Sequence, residues 1–163
     1  MDKLIPPDLE FILYLRFKRG LLACTQVSVG GGIADVIAID KNKKMVLEFE
    51  FKKTSHDLKV LEKKKRKHDS PYRKPHKFYY VVPTKLWKRE EAYLREQKCG
   101  VVVYNIPHNS LHGKREFITE INCRPNKNIP IDYDYVYRQL MIRCTSAYAN
   151  MIMDCYGRKR SWY

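Results

Sequence analysis

Two segments constrain this chain more than any others: Ile33-Ala34-Asp35-Val36-Ile37-Ala38-Ile39 and, after a Lys/Asn turn, Val46-Leu47-Glu48-Phe49-Glu50-Phe51-Lys52. Each is a short, largely apolar run bounded by glycine or turn residues, which reads as a strand. A pair of strands this hydrophobic belongs in a core, where a bare carboxylate is costly unless it is paired or binds a metal. Successive strand residues face opposite sides, so Glu48, Glu50 and Lys52 share one face while Leu47, Phe49 and Phe51 share the other. Along that face Glu50 and Lys52 stand roughly 6–7 Å apart at ~3.3 Å per residue, a gap that leaves room for a metal and a water. If the two strands pair antiparallel around their short turn, Asp35 falls near the Glu50 end. Two acids and a lysine so placed suit a metal-assisted attack on a phosphodiester.

The rest of the chain supplies a frame for this pair. Pro6-Pro7-Asp8 marks a helix start, and Leu9, Ile12, Leu13, Arg16 and Phe17 run at helical spacing until Gly20. Leu22 to Val29 reads as a strand. Gly30-Gly31-Gly32 is a turn leading into the strands 33–39 and 45–52, and the three strands form an antiparallel meander. Ser55 to about Lys67 is helical with Leu58 and Leu61 on one face, and a loop with Pro71 and Pro75 follows. His76 to Val82 is a buried strand, Lys85 to Lys98 a polar helix, and Val101 to Tyr104 a further strand. Residues 106–116 are loop-like, Phe117 to Asn122 is a short edge strand, and Asp134 to Tyr156 is a long helix. Strands separated by helices join as parallel additions. The expected fold is therefore α/β, a mixed sheet of antiparallel meander plus parallel strands, flanked by helices. The 163 residues make one domain, with a core over about 8–104 and a C-terminal extension over about 105–163.

The charge narrows the partner. A formal net charge of +14 and a pI near 9.6 point to a polyanion, with nucleic acid ahead of an anionic membrane surface. No segment offers ~18 uninterrupted apolar residues, and the N-terminal residues lack the apolar core of a secretory signal. The 5 cysteines are scattered, without zinc spacing, and read as reduced thiols of a soluble cytoplasmic or nuclear protein.

Asp35, followed after fourteen residues by Glu50-Phe51-Lys52, resembles the signature of the PD-(D/E)XK nuclease superfamily, an aspartate and then acid-x-lysine on the next strand. The resemblance covers roughly residues 8–104. It includes a first helix carrying an acid (Glu10), a glycine-rich turn before the Asp strand, and Ser55-His56-Asp57-Leu58 at the entry to a crossover helix. Ala34 stands where the signature has proline. The resemblance implies a restriction-endonuclease-like fold and hydrolysis of DNA phosphodiesters with Mg²⁺ or Mn²⁺. Asp35, Glu50 and the main-chain carbonyl of Phe51 would be the metal ligands. Lys52 would orient the attacking water or neutralise the transition state, remaining protonated beside carboxylates. Glu10 would join the catalytic set.

Phosphate contacts are expected from the basic stretch that follows Lys52: Lys53, Lys59, Lys63, Lys64, Arg66, Lys67, Arg73 and Lys74. Glu48 is expected to be solvated, partnering Lys53 or a neighbour. The layout also resembles archaeal-type Holliday-junction resolvases, which would make the chain a homodimer cutting a branched substrate. A restriction, repair, viral or mobile-element nuclease shares the same pattern, and some superfamily members act on RNA. A non-catalytic nucleic-acid-binding protein of the same fold accounts equally for the charge, but not for the complete Asp, Glu and Lys set.

Overall fold

The computed structural model describes residues 6–29, 32–61, 75–105, 115–126 and 132–156. Helix α1 (Pro7–Arg19) begins on a proline, tolerated at the first helical position because that N–H would be unsatisfied anyway. It ends at Gly20, whose φ of 63° supplies the left-handed cap. Strands β1 (Leu22–Val29), β2 (Gly32–Asp40) and β3 (Met45–Phe51) follow. A π-helical turn (Asp57–Leu61) leads towards β4 (Lys77–Pro83), helix α2 (Thr84–Glu96) and β5 (Gly100–Tyr104). Strand β6 (Phe117–Ile121) and helix α3 (Tyr133–Tyr156) complete the order.

Among the described residues six strands form one open sheet in sequence order, β1 to β6. The first three are an antiparallel meander, β3–β4 and β4–β5 are parallel, and β6 returns antiparallel to β5. The mixed α/β sheet flanked by helices is thus the architecture that the alternation of apolar runs and helical spacing predicts. Of the helix expected over 55–67, residues 55–61 are described and widen into the π turn.

Helices cover both faces. On one, α1 sets Phe11 and Leu15 against Val36, Ala38, Leu47, Phe49, Tyr79, Val81 and Val102. Phe11 meets Phe49 edge-on at 5.0 Å between ring centroids and Phe51 at 5.7 Å, and lies 4.9 Å from Phe117. Pairs of this kind add about 0.5–1.5 kcal/mol each beyond the area they bury. This aromatic cluster fixes which side of α1 faces inward. Leu9 and Leu13 are exposed and Phe17 is 82% exposed, so the helical spacing of those residues does not mark the buried stripe.

The opposite face is split. Helix α3, from the C-terminal third, brings Val136 and Leu140 onto Cys24, Val27, Ile37, Ile39 and Val46. Helix α2 and the π turn bring Leu58, Leu86, Trp87 and Leu94 onto Tyr80, Val82, Val101 and Val103. Between these two clusters runs the polar side of β3. No helix of the described residues is long and apolar enough to cross a membrane.

At Gly100, the first residue of β5, the strand lies tight against the Tyr79 ring of β4. A Cβ there would overlap the Tyr79 ring and lie 3.0 Å from the Ile121 carbonyl oxygen. Tyr79 is itself held, its hydroxyl donating to Asn122 Oδ1 at 2.9 Å. Gly100→Ala is expected to destabilise the fold by about 1–3 kcal/mol, as overpacking does, read as a lower urea midpoint at unchanged m-value. An unaltered midpoint would show that the Tyr79 ring yields freely.

Candidate active-site cleft

Asp35 is aimed by a matched irregularity in two strands. Along β1, Cys24 and Val27 face the same cluster although three residues apart, and along β2 so do Ala34 and Ile37. In a regular strand such pairs face opposite sides. The register runs Thr25↔Val36 and then Val27↔Ala34, omitting the pair between them. Gln26 there has a φ of 53°, left-handed backbone uncommon outside glycine. The two interruptions lie opposite each other and leave the register unshifted, so they reverse the side-chain alternation of both strands and re-aim the side chains there. Here they turn Asp35 so that Oδ2 accepts the main-chain N–H of Phe51 at 2.9 Å. The β2–β3 ladder ends at Val36↔Phe49, and the carboxylate stands in for the carbonyl that the next ladder step would have offered.

The polar side of β3 is buried. Glu50 and Lys52 are each 1% exposed. Lys52 Nζ lies 3.3 Å from Glu50 Oε1 and 3.6 Å from Asp57 Oδ1, while its main-chain N–H donates to the Val81 carbonyl at 3.0 Å. The gap expected between Glu50 and Lys52 is therefore closed, because the long lysine stem folds back and brings the ammonium onto the carboxylate. Asp57, at the start of the π turn, completes the cage. Glu48 is only 8% exposed, which corrects the reading of it as solvated. It sits in the strip that α2 and α3 leave between their clusters.

A cleft of about 360 Å³ opens beside this pair, lined by Pro7, Asp8, Gln26, Asp35, Phe51, Lys53 and Asp57. Asp35, Phe51 and Lys53 are thus brought to it, with Glu50 and Lys52 packed behind its wall. Glu10 is not. Its carboxylate accepts from the Arg115 main chain at 2.7 Å and from Arg115 Nη1 at 2.6 Å. Asp8 takes the position instead. At about 100° per residue the two acids project roughly 200° apart around the helix, and nothing local in the sequence says which turns inward. Gln26 had no sequence signal, whereas Asp57 had one in its place five residues after Lys52.

Lys59 is held elsewhere. Its ammonium pairs with Glu90 and lies 5.1 Å over the Tyr93 ring, so it serves the α2 contact rather than the cleft lining. Glu90 also accepts from the Ser55 hydroxyl and sits where α2 departs from helical geometry, at φ −115°, ψ 15°. The Lys59 ammonium first, then the Ser55 hydroxyl, hold its carboxyl below the usual range, against burial. Lys63, Lys64, Arg66, Lys67, Arg73 and Lys74 lie outside the described residues.

Among the described residues no group of three or more His, Cys, Asp or Glu side chains is gathered around one point as a metal cluster. The implied donor set is smaller, two carboxylates and a main-chain carbonyl. Asp35 and Phe51 line the cleft, while Glu50, next to Phe51 on β3, is buried against Lys52; the donors are all oxygen, the chemistry that a hard divalent cation takes.

No family model matches the chain, and no curated protein does. Among solved structures it is similar to the SPO1766 protein of unknown function from Silicibacter pomeroyi, with a TM-score of 0.64 at 12% identity over 100% of this chain and 99% of that one. The likeness is one of fold.

The cage and its neighbour lend themselves to two stability measurements. Lys52→Ala, which leaves Glu50 buried without its cation, is expected to cost about 3–5 kcal/mol in urea denaturation, whereas Lys53→Ala at the exposed next position stays within about 0.5 kcal/mol. Equal effects would show that the buried pair contributes nothing special. For Glu90, a folded-state value below the unfolded value of 4.5 means stabilisation that is complete above that pH and lost as pH falls through the folded value. Glu90→Gln should therefore flatten the acid limb of the Tm–pH curve, and an acid limb identical to wild type would contradict the assignment.

Proposed function

We propose that the chain is a metal-dependent nuclease of the PD-(D/E)XK type, hydrolysing DNA phosphodiesters. One observation carries the reading. A backbone irregularity shared by β1 and β2 turns Asp35 onto the end of β3, where Glu50 and Lys52 occupy the acid-x-lysine positions beside an open cleft. An aspartate needed only for turn formation would not be re-aimed at the next strand.

Asp35, Glu50 and the Phe51 carbonyl would hold Mg²⁺ or Mn²⁺, which supplies polarisation of the phosphate and a lowered pKa for a bound water. The remaining work falls to the chain's own residues. Lys52 places a positive charge behind the cleft wall, which favours the negative charge that accumulates on the non-bridging oxygens of a phosphate reacting in the cleft. Fixed partners make that charge preorganised, so little reorganisation is needed as the reaction proceeds. Asp57 is the second carboxylate that holds the ammonium. Lys53, on the cleft wall, contacts a flanking phosphate and positions the strand without reading its sequence.

The test compares supercoiled, linear, single-stranded and four-way-junction DNA, and a structured RNA, each with Mg²⁺, Mn²⁺ or EDTA. The informative variant is Asp35→Asn, because the amide oxygen still accepts the Phe51 N–H and spares the fold. Metal-dependent cutting that falls on the order of 10²–10³-fold in Asp35→Asn, with an unchanged thermal melt, is the expected result. Salt-sensitive binding with no product on any substrate would instead identify a non-catalytic nucleic-acid-binding protein.

A further inference from the structure

A second cavity lies at the other end of β3. Its volume is about 520 Å³, and Lys43, Lys44, Met45, His76, Lys77 and Pro125 line it. The two cavities have opposite character. The cleft is lined by three aspartates and one lysine, whereas this pocket is lined by three lysines and a histidine with no acid. Met45 and Phe51 are the two ends of β3, which puts the pocket roughly 20 Å from the cleft at ~3.3 Å per residue. That is the rise of about six base pairs at 3.4 Å each.

The lysines are carried on a built turn. Asp40 Oδ1 accepts the main-chain N–H groups of Asn42 and Lys43, both at 3.1 Å, and fixes the loop between β2 and β3. Lys44 has a φ of 48°, a conformation that favours glycine, so a lysine side chain stands where the turn alone would be served better without one. The imidazole is oriented too. His76 Nδ1 accepts the Val46 N–H at 3.0 Å, and burial pushes its pKa below the usual value. The ring is neutral and carries its proton on Nε2, as a hydrogen-bond donor. The His76 carbonyl in turn accepts from Asn126 at 2.9 Å, tying down the segment that contributes Pro125.

We propose that Lys43, Lys44, His76 and Lys77 form a second phosphodiester-binding site, which holds nucleic-acid backbone away from the cleft. Three ammonium groups supply attraction, that of Lys43 sharing its charge with Asp40 Oδ2 at 3.8 Å, and a neutral imidazole donor adds direction without further charge. The nature of the ligand rests on the nuclease reading, but the site does not depend on cleavage. It adds a cationic hold on the backbone at the end of β3 away from the mostly acidic cleft lining.

The experiment measures fluorescence anisotropy of a labelled duplex in EDTA, so that no cutting occurs, over a range of salt concentrations. Wild type is compared with Lys43→Gln/Lys44→Asn/Lys77→Gln and with Lys85→Gln/Lys88→Gln/Lys98→Gln, a control that removes the same charge from exposed positions elsewhere. The pocket variant is expected to bind about tenfold more weakly at low salt. Its slope of log K against log[salt] should become shallower by about 0.9 for each phosphate it no longer neutralises, while the control keeps the wild-type slope. Equal weakening in both variants would reduce the effect to net charge and overturn the site, as would wild-type binding by the pocket variant. An effect confined to binding of phosphatidylserine vesicles would overturn it in favour of a membrane surface. Should Lys77→Gln disturb the fold, the Lys43→Gln/Lys44→Asn pair on the turn gives the same reading with a smaller change. Absent cleavage with this pattern intact would sink the nuclease assignment and leave the site standing.

Discussion

The Lys52 ammonium, enclosed between Glu50 and Asp57, is the contact on which the surrounding structure depends. Three elements meet there: the end of β3, the π turn, and β4 through the Lys52 N–H to Val81 carbonyl bond. A charge at 1% exposure is tolerable only because each partner is fixed by its own element, since burial of an ion pair gains little unless geometry and remaining hydrogen bonds are satisfied. The π turn then has a structural reason. It starts at Asp57, which caps the cage, and sends Leu58 into the cluster beneath α2.

The two faces of β3 make the division of labour plain. Leu47 and Phe49 weld the sheet to α1 on one side. On the other, α2 and α3 each build a separate apolar cluster and leave the central strand's acids and lysine between them. A continuous apolar face would be more stable to build. The interruption places polar groups in a dry setting where electrostatic effects are large.

Much of this was legible in the sequence, and the rest was not for identifiable reasons. Strand positions follow from local period and turn residues, so β1 to β6 and the antiparallel pairing of β2 with β3 could be read directly. What escaped depends on residues distant in the chain. Glu10 is taken by Arg115 and Lys59 by Glu90, and neither pairing leaves a local mark. The buried side of α1 is set at a distance too, since Phe11 is selected by Phe49 and Phe117 rather than by its own helix. The left-handed Gln26 that aims Asp35 is invisible to pattern, because glutamine carries no preference for that backbone.

The same Gln26 has a consequence at the margin of the sheet. β1 and β6 are the two outermost strands, and an outer strand displays main-chain groups to which another molecule's strand can pair. β1 is interrupted at Gln26. β6 is five residues long, presents Glu120 outward, and pairs with β5 across a register shift at Val101/Val102. Neither margin is a flat, uninterrupted template. Among the described residues an open sheet thus offers another molecule's strand only short or broken margins, and the distortion that directs a carboxylate inward is itself one of the breaks.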